Sequence, residues 1–312
     1  MKWQLIIVII LIFTAVAVWQ VGVLFSAPAE AGAPAAPVPV TSTGAYGGTA
    51  SAGGQPNTAL PVRNWSVLDP TINSAAVLVQ GLDNNFPYLK IDAERVWPMA
   101  SLTKLLTAVV VLENVGTNAS IPISTSTATS QGPSGNLKGG EVYNAGDLLK
   151  IMLLASSNGA AEAFEHYVGD EKFMSLMMAK AKAIGMKNTV VYDASGWNDG
   201  NATTAGDMVA LMKYILAKHP EILGWTRLTS FMAQPLNSSR INIVTNIDQL
   251  VGRSDFLGGK TGTSPRAGEN LATILSFHGS EVVAVVLGSD ARYNELDNVL
   301  NWINTAYTFP TR

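Results

Sequence analysis

The chain has 312 residues, 47% of them hydrophobic, which is enough for one large core or two small ones. A net charge of −3 without a basic run offers no face for nucleic acid, and the absence of cysteine removes thiol chemistry, disulfides, cysteine-bound zinc and lipid attachment through cysteine. Three histidines, His166, His219 and His278, are too few for a histidine-rich metal centre, so no metal or other cofactor is expected.

From Leu5 to Phe25 the chain is almost wholly apolar, broken only by Gln20 and Gly22. A bilayer core of about 30 Å takes about 20 such residues as a helix, and Trp3 and Trp19 suit its interfaces. A cleaved signal peptide has a shorter apolar core, about 7–15 residues, although Ala27-Pro28-Ala29 imitates a cleavage site. Residues 1–25 are therefore read as a transmembrane anchor or signal segment, with the anchor preferred and the rest of the chain exported in either case. Residues 26–61 are rich in Ala, Pro, Gly, Ser and Thr without apolar periodicity, a composition that predicts a disordered linker. Its Gly-rich part follows no strand and opens no helix, so it is not a phosphate loop.

Residues 62–312 are read as the globular domain. Ser74–Gln80 and Tyr88–Ile91 predict two short strands around a turn at 81–87. A helix is expected from Ser101 to about Asn114, after Pro98. A polar, Gly-rich stretch from Ser124 to Gly140 leads to a helix opened by Asn144-Ala145-Gly146-Asp147 and ending near Ser156. Further helices are predicted over Gly159–Tyr167, Glu171–Ile184 and Thr204–His219, the last with a Thr204-x-x-Asp207 capping box. Three strands follow at Phe256–Thr263, Asn270–Phe277 and Glu281–Ser289, the last two joined tightly through His278-Gly279-Ser280, and then a helix from Ala291 to about Tyr307. Strands at both ends with helices between predict an α/β protein of the α+β type. Its five strands would form one antiparallel sheet flanked by helices, the central helices would form a separate lobe, and a cleft would lie between the two.

Three short stretches carry chemistry. In Ser101-Leu102-Thr103-Lys104 the i, i+3 spacing brings a lysine amine to a serine hydroxyl on one helix face. The helix start supplies free N–H groups for a developing anion, and the lysine is a base only if burial or a second cation lowers its pKa. By itself the pair equally describes a capping serine and a solvated lysine. Ser156-Ser157-Asn158 sets a hydroxyl and a carboxamide at a helix end, where one could relay a proton and the other bind a peptide backbone. Ser134-x-Asn136 has the same spacing but lies in a Gly-rich loop, which positions groups less rigidly. Gly258-Gly259-Lys260-Thr261-Gly262-Thr263 puts a lysine on a strand whose glycines admit a ligand backbone. Lys260 supplies the second cation and can attract a carboxylate.

Ser-x-x-Lys, Ser-x-Asn and Lys-Thr-Gly in that order form the motif set of class A β-lactamases and penicillin-binding proteins. With Pro98-Met99-Ala100 before Ser101, and with Gly140-Glu141, Gly185–Thr189, Ala194-Ser195-Gly196, Thr204–Asp207 and Ala267-Gly268, the chain from about Ser74 to Tyr307 resembles the D-alanyl-D-alanine carboxypeptidases. These are low-molecular-mass penicillin-binding proteins of the serine β-lactamase-like superfamily. The resemblance implies a β-lactamase/transpeptidase-like fold and acyl transfer. Ser101 would attack the bond between the terminal D-alanines of a peptidoglycan stem peptide, Lys104 would take its proton, and Ser156 would pass a proton to the leaving amine. Asn158 would hold the peptide, Lys260, Thr261 and Gly262 would bind around the terminal carboxylate with Thr263, and the backbone N–H groups of Ser101 and Thr263 would form the oxyanion hole. β-Lactams would acylate the same serine.

Many relatives carry a further carboxyl-terminal β-rich domain and an amphipathic membrane helix. Here the chain stops soon after Tyr307, and membrane attachment would fall to Leu5–Phe25, with the catalytic domain in the periplasm or cell-wall space. Trp197 after Ser195-Gly196 stands where an aliphatic residue is usual. A β-lactamase is disfavoured because the Glu-x-x-Leu-Asn stretch is absent, and a Ser-His-Asp hydrolase because there is no Gly-x-Ser-x-Gly elbow. An endopeptidase on the same fold and a non-catalytic peptidoglycan-binding protein are the remaining alternatives.

Overall fold

The computed structural model describes residues 60–310. The expected anchor at 1–25 and nearly all of the expected linker at 26–61 lie outside the described residues. Among the described residues, no helix is long and apolar enough to cross a membrane.

Apolar residues alternate between the two faces of the sheet wherever β-branched side chains run on. The strands are β1 (Ala76–Gly81), β2 (Pro87–Ile91), β3 (Phe256–Ser264), β4 (Gly268–Phe277) and β5 (Ser280–Ser289). They pair in the order β3-β4-β5-β1-β2, every neighbouring pair antiparallel, so the sheet is built from both ends of the sequence as expected. Val77, Val79, Val282, Ala284 and Val286 enter one core; Ala76, Leu78, Val283, Val285 and Leu287 enter the other. Two buried faces explain why these strands read as nearly continuous apolar runs. β4 and β5 turn through His278 and Gly279, at φ 49° and 72°. Two left-handed central residues give the tight hairpin the twist that its strands require.

Besides a single turn at Thr125–Ala128, the helices are α1 (Thr103–Asn114), α2 (Ala145–Leu154), α3 (Asn158–Val168), α4 (Asp170–Ile184), α5 (Ala205–Lys218), α6 (Pro220–Thr226) and α7 (Arg292–Ala306). α7 covers one face of the sheet with Leu296, Val299 and Ile303, while α5 packs on the other and joins it to the lobe formed by α1–α4. Side chains that satisfy free N–H groups fix the starts: Asn144 Oδ1 accepts from Gly146 N (3.0 Å), and Ser157 Oγ from Ala160 N (3.1 Å). The capping box at Thr204 is half realised. Thr204 Oγ1 accepts from Asp207 N (3.0 Å), but the Asp207 carboxylate accepts from Asn188 N and Thr189 Oγ1 (both 2.8 Å) and ties down the loop before α5.

Two expectations change. The helix read from Ser101 begins at Thr103, and Ser101 sits in a 3₁₀ turn, Ala100–Leu102. The polar regions also hold structure that lacked a legible period: a pair Ser120–Pro122 with Val142–Asn144, a hairpin Ser230–Ala233 with Asn242–Thr245, and α6.

Candidate active site

The 3₁₀ turn is held in an unusual conformation. Ala100 has φ 47°, and its carbonyl accepts from Thr103 Oγ1 at 2.7 Å. A left-handed alanine is the sort of local strain that surrounding contacts must enforce. The loop Asp193–Asn201 supplies those contacts. Asp193 Oδ1 accepts from Ser195 N (2.7 Å) and Gly196 N (2.6 Å), and its Oδ2 from Asn198 N (2.6 Å). Asn201 O accepts from Met99 N at 2.8 Å, and Asn201 Nδ2 donates to Thr103 Oγ1 at 3.2 Å. Gly196 is required here: a Cβ would stand 1.8 Å from Ala100 O, and its φ is +79°.

The turn aims Ser101 over α1. Lys104, one helical turn on, is fully buried. Its Nζ lies 2.9 Å from Ser101 Oγ, 2.7 Å from Asn158 Oδ1 and 2.6 Å from Ser195 O. None of those partners is charged. Burial, reinforced by the charge of Lys260, holds the Lys104 pKa well below the lysine range against the opposing pull of Asp193 and Glu162. The partner set then decides where a neutral amine points. Asn158 Oδ1 and the Ser195 carbonyl can only accept, so the two N–H bonds of the amine go to them. The lone pair is left facing the Ser101 hydroxyl.

Asn158 is oriented at its other end, where Nδ2 donates to Gln131 O at 2.7 Å. Ser157 is the structural serine of its stretch: its Oγ caps α3 and donates to Ser134 O at 2.8 Å. Ser156, buried and left-handed at φ 56°, adjoins Asn158 in the chain, but the hydrogen bonds of Lys104 do not include it. Ser134 and Asn136 lie in the loop that packs over the Ser157 turn, and Asn136 Nδ2 bonds Ile243 O on the neighbouring hairpin. They support the site from outside. Trp197 borders the same loop, since a Cβ on Gly132 would meet both Asn158 Nδ2 (2.6 Å) and the Trp197 ring (3.3 Å).

β3 forms the opposite wall. A Cβ on Gly262 would lie 2.8 Å from Met99 O and 3.2 Å from Ser101 N, so the strand runs directly along the serine turn. Lys260 is buried, and its Nζ donates to Thr261 O at 2.8 Å. Burial lowers its pKa to about 8, with Asp248 pulling upward and Arg292 adding to the fall. Arg292 is a residue the motifs did not signal. Nearly buried at the start of α7, it donates to Gly262 O and Asn270 O (both 2.9 Å) and to Thr263 Oγ1, and it pairs with Glu269 at 3.1 Å. It fixes the end of β3 carrying Thr261–Thr263. Ser195 was visible only within a resemblance; its part here is played by a backbone carbonyl, which leaves no residue-type signature. Among the described residues, no group of three or more His, Cys, Asp or Glu side chains could hold a metal ion.

A helical lobe beside a five-stranded antiparallel sheet is the arrangement of the penicillin-binding-protein fold. The crystal structure of the Streptomyces K15 DD-transpeptidase shares it with a TM-score of 0.71 at 22% identity, covering 77% of this chain and 100% of that one. A D-alanyl-D-alanine carboxypeptidase structure from Mycobacterium tuberculosis H37Rv does so with a TM-score of 0.71 at 23% identity, covering 80% and 100%. The sequence profile of peptidase family S11, D-alanyl-D-alanine carboxypeptidase, matches residues 66–291, and the chain belongs to that family of serine hydrolases. Its relatives carry two names. A D-alanyl-D-alanine endopeptidase of Escherichia coli (strain K12) is 28% identical over 258 residues, covering 77% of this chain and 80% of that protein. The D-alanyl-D-alanine carboxypeptidase DacB2 of Mycobacterium tuberculosis is 26% identical over 253 residues, covering 78% and 82%.

Proposed function

We propose that this chain is a serine DD-carboxypeptidase that removes the terminal D-alanine of peptidoglycan stem peptides through an acyl-enzyme on Ser101. The observation that carries the reading is the partner set of Lys104, which leaves a neutral amine one direction for its lone pair. Lys104 takes the Ser101 proton as Oγ attacks the carbonyl between the two D-alanines. The N–H groups of Ser101 and Thr263 receive the oxyanion, Ser156 passes a proton to the departing amine, and water later frees the shortened peptide. Asn158 holds the peptide backbone. Lys260 and Thr261, on a strand whose Gly262 lets it lie against the turn, grip the terminal carboxylate, and β-lactams acylate Ser101 by the same approach. Lys260 also adds to the burial that lowers the Lys104 pKa, so one cation serves both recognition and activation.

We infer also that the apolar run Leu5–Phe25 anchors the chain in the membrane, with the domain on the extracytoplasmic side where peptidoglycan lies. The support is the run's length and the export that the substrate demands.

Labelling with a fluorescent penicillin tests the nucleophile: the wild type is expected to take the label and Ser101→Ala none. Equal labelling of the two would refute the assignment. Release of free D-alanine from a peptide ending in D-Ala-D-Ala supports the carboxypeptidase reading. Cleavage of a cross-linked dimer without such release would make the enzyme an endopeptidase.

A further inference from the structure

Four large apolar side chains stand in the open within nine residues at the start of the described chain: Leu60 (51% exposed), Val62 (68%), Trp65 (83%) and Leu68 (85%). Single exposed apolar residues are ordinary on a soluble surface, but a cluster of this size marks a contact. The backbone beneath them is firmly held. Val62 and Arg63 pair with Thr308 and Tyr307, Asn64 N donates to Ala306 O at 2.7 Å, and Trp302 Nε1 donates to Leu68 O at 2.7 Å. The Arg63 guanidinium lies between the rings of Trp65 and Trp302, 4.9 and 4.7 Å from their centroids. Trp65 and Leu68 are therefore displayed by a fixed segment and have no core to enter.

The sequence says what lies within reach. The patch sits where the Ala/Pro/Gly-rich stretch of about 34 residues ends, and beyond that stretch is the Leu5–Phe25 run. A stretch of about 34 residues can reach at most about 120 Å. Tethering of this kind gives an effective concentration in the millimolar range, so a face too weak to hold a free protein on lipid suffices. Tryptophan and leucine beside an arginine suit the boundary between headgroups and acyl chains.

We propose that Leu60, Val62, Trp65 and Leu68 form a membrane-docking face that enters the headgroup boundary of the bilayer holding the Leu5–Phe25 run. The proposal rests on the anchor reading above. Docking would orient the enzyme as well as retain it. The patch lies by the last turn of α7, about 20 Å along that helix from Arg292, which braces the cleft wall. The cleft would thus be held off the lipid, towards the wall.

The cysteine-free chain allows a direct test. Full-length Leu68→Cys, carrying an environment-sensitive fluorophore, is placed in nanodiscs of phosphatidylethanolamine and phosphatidylglycerol, with and without brominated acyl chains. Met232→Cys, at an equally apolar exposed site on the Ser230–Thr245 hairpin, is the control. The label at 68 is expected to be quenched by brominated lipid at least threefold more than the label at 232, and the added substitution Trp65→Ser is expected to reduce that quenching. Equal quenching at both positions overturns the docking face. So does a label at 68 that is shielded from water yet not quenched by brominated lipid, because protein then covers the patch. Carbonate extraction of cell membranes separates the two readings. A chain released by carbonate refutes the anchor, whereas a chain retained with position 68 in water refutes docking alone.

Discussion

Glu141 and Lys104 are both buried ionisable groups, linked to opposite ends of the 131–141 loop, and they are treated in contrary ways. Glu141 is fully compensated. Arg240 donates to both its oxygens through Nε and Nη2, Tyr143 donates at 2.9 Å and Lys138 N at 3.0 Å. Those bonds hold its pKa below the carboxylate range despite burial. Lys104 meets only neutral oxygens, and its pKa is lowered by burial and by the charge of Lys260. A compensated cluster fixes a shape; an uncompensated one holds a group away from its preferred protonation state, as a general base requires. Charge pairing, more than burial, separates the bracing cluster from the chemical one.

Substitutions should divide the two clusters cleanly. Lys104→Met is expected to slow penicillin acylation by about 10²–10⁴-fold while leaving thermal stability equal or higher, since it removes an unpaired buried amine. A variant that unfolds would break the distinction. Arg240→Met leaves Glu141 without its cation. Because the Arg240 side chain is a quarter exposed, the loss should be about 2–4 kcal/mol in urea denaturation, somewhat under that of a fully buried pair. Acylation of the protein that remains folded should change less than about tenfold. Tyr143→Phe removes one bond from Glu141 and should cost about 1 kcal/mol.

The pH dependence follows from the same contrast. The proposed mechanism needs Lys104 neutral and Lys260 charged, so kcat/KM should rise as Lys104 loses its proton and fall as Lys260 loses its own, near pH 8. Lys260→Arg should move that falling limb to higher pH, because arginine does not titrate there. An unmoved limb would take carboxylate recognition away from Lys260. For stability the sign is positive. Both lysines have folded pKa values below their unfolded ones, so the unfolded chain binds more protons and stability rises with pH across each interval. For Lys260 that interval runs from about 8 to 10.5.

What the sequence showed and hid has a physical pattern. Strands β1, β4 and β5 were legible because both faces are buried and their apolar runs are nearly unbroken. The Ser230–Thr245 hairpin was not, since its outward Met232 and Ile243 obscure the alternation. For α6, Pro220 at the first helical position was the available sign, but the seven-residue helix is too short for a period. Ser101 and Lys104 could be paired by spacing, yet spacing says nothing of burial, which lowers the lysine pKa. Asn158 was found as a side chain and Ser195 was not, because the site uses only its carbonyl. Arg292 stands thirty-two positions after Lys260, and only the packing of α7 on β3 and β4 brings it to the cleft.

In the proposed mechanism the Lys104 amine is neutral in the working enzyme and directs its lone pair at Ser101. The most direct test is an NMR titration of the Lys104 side-chain nitrogen, assigned by its loss in Lys104→Met. Deprotonation well below pH 10.5, with a rise towards the ordinary lysine value in Lys260→Met, is the result expected. An amine that titrates at the ordinary lysine value and is indifferent to Lys260 would contradict that mechanism.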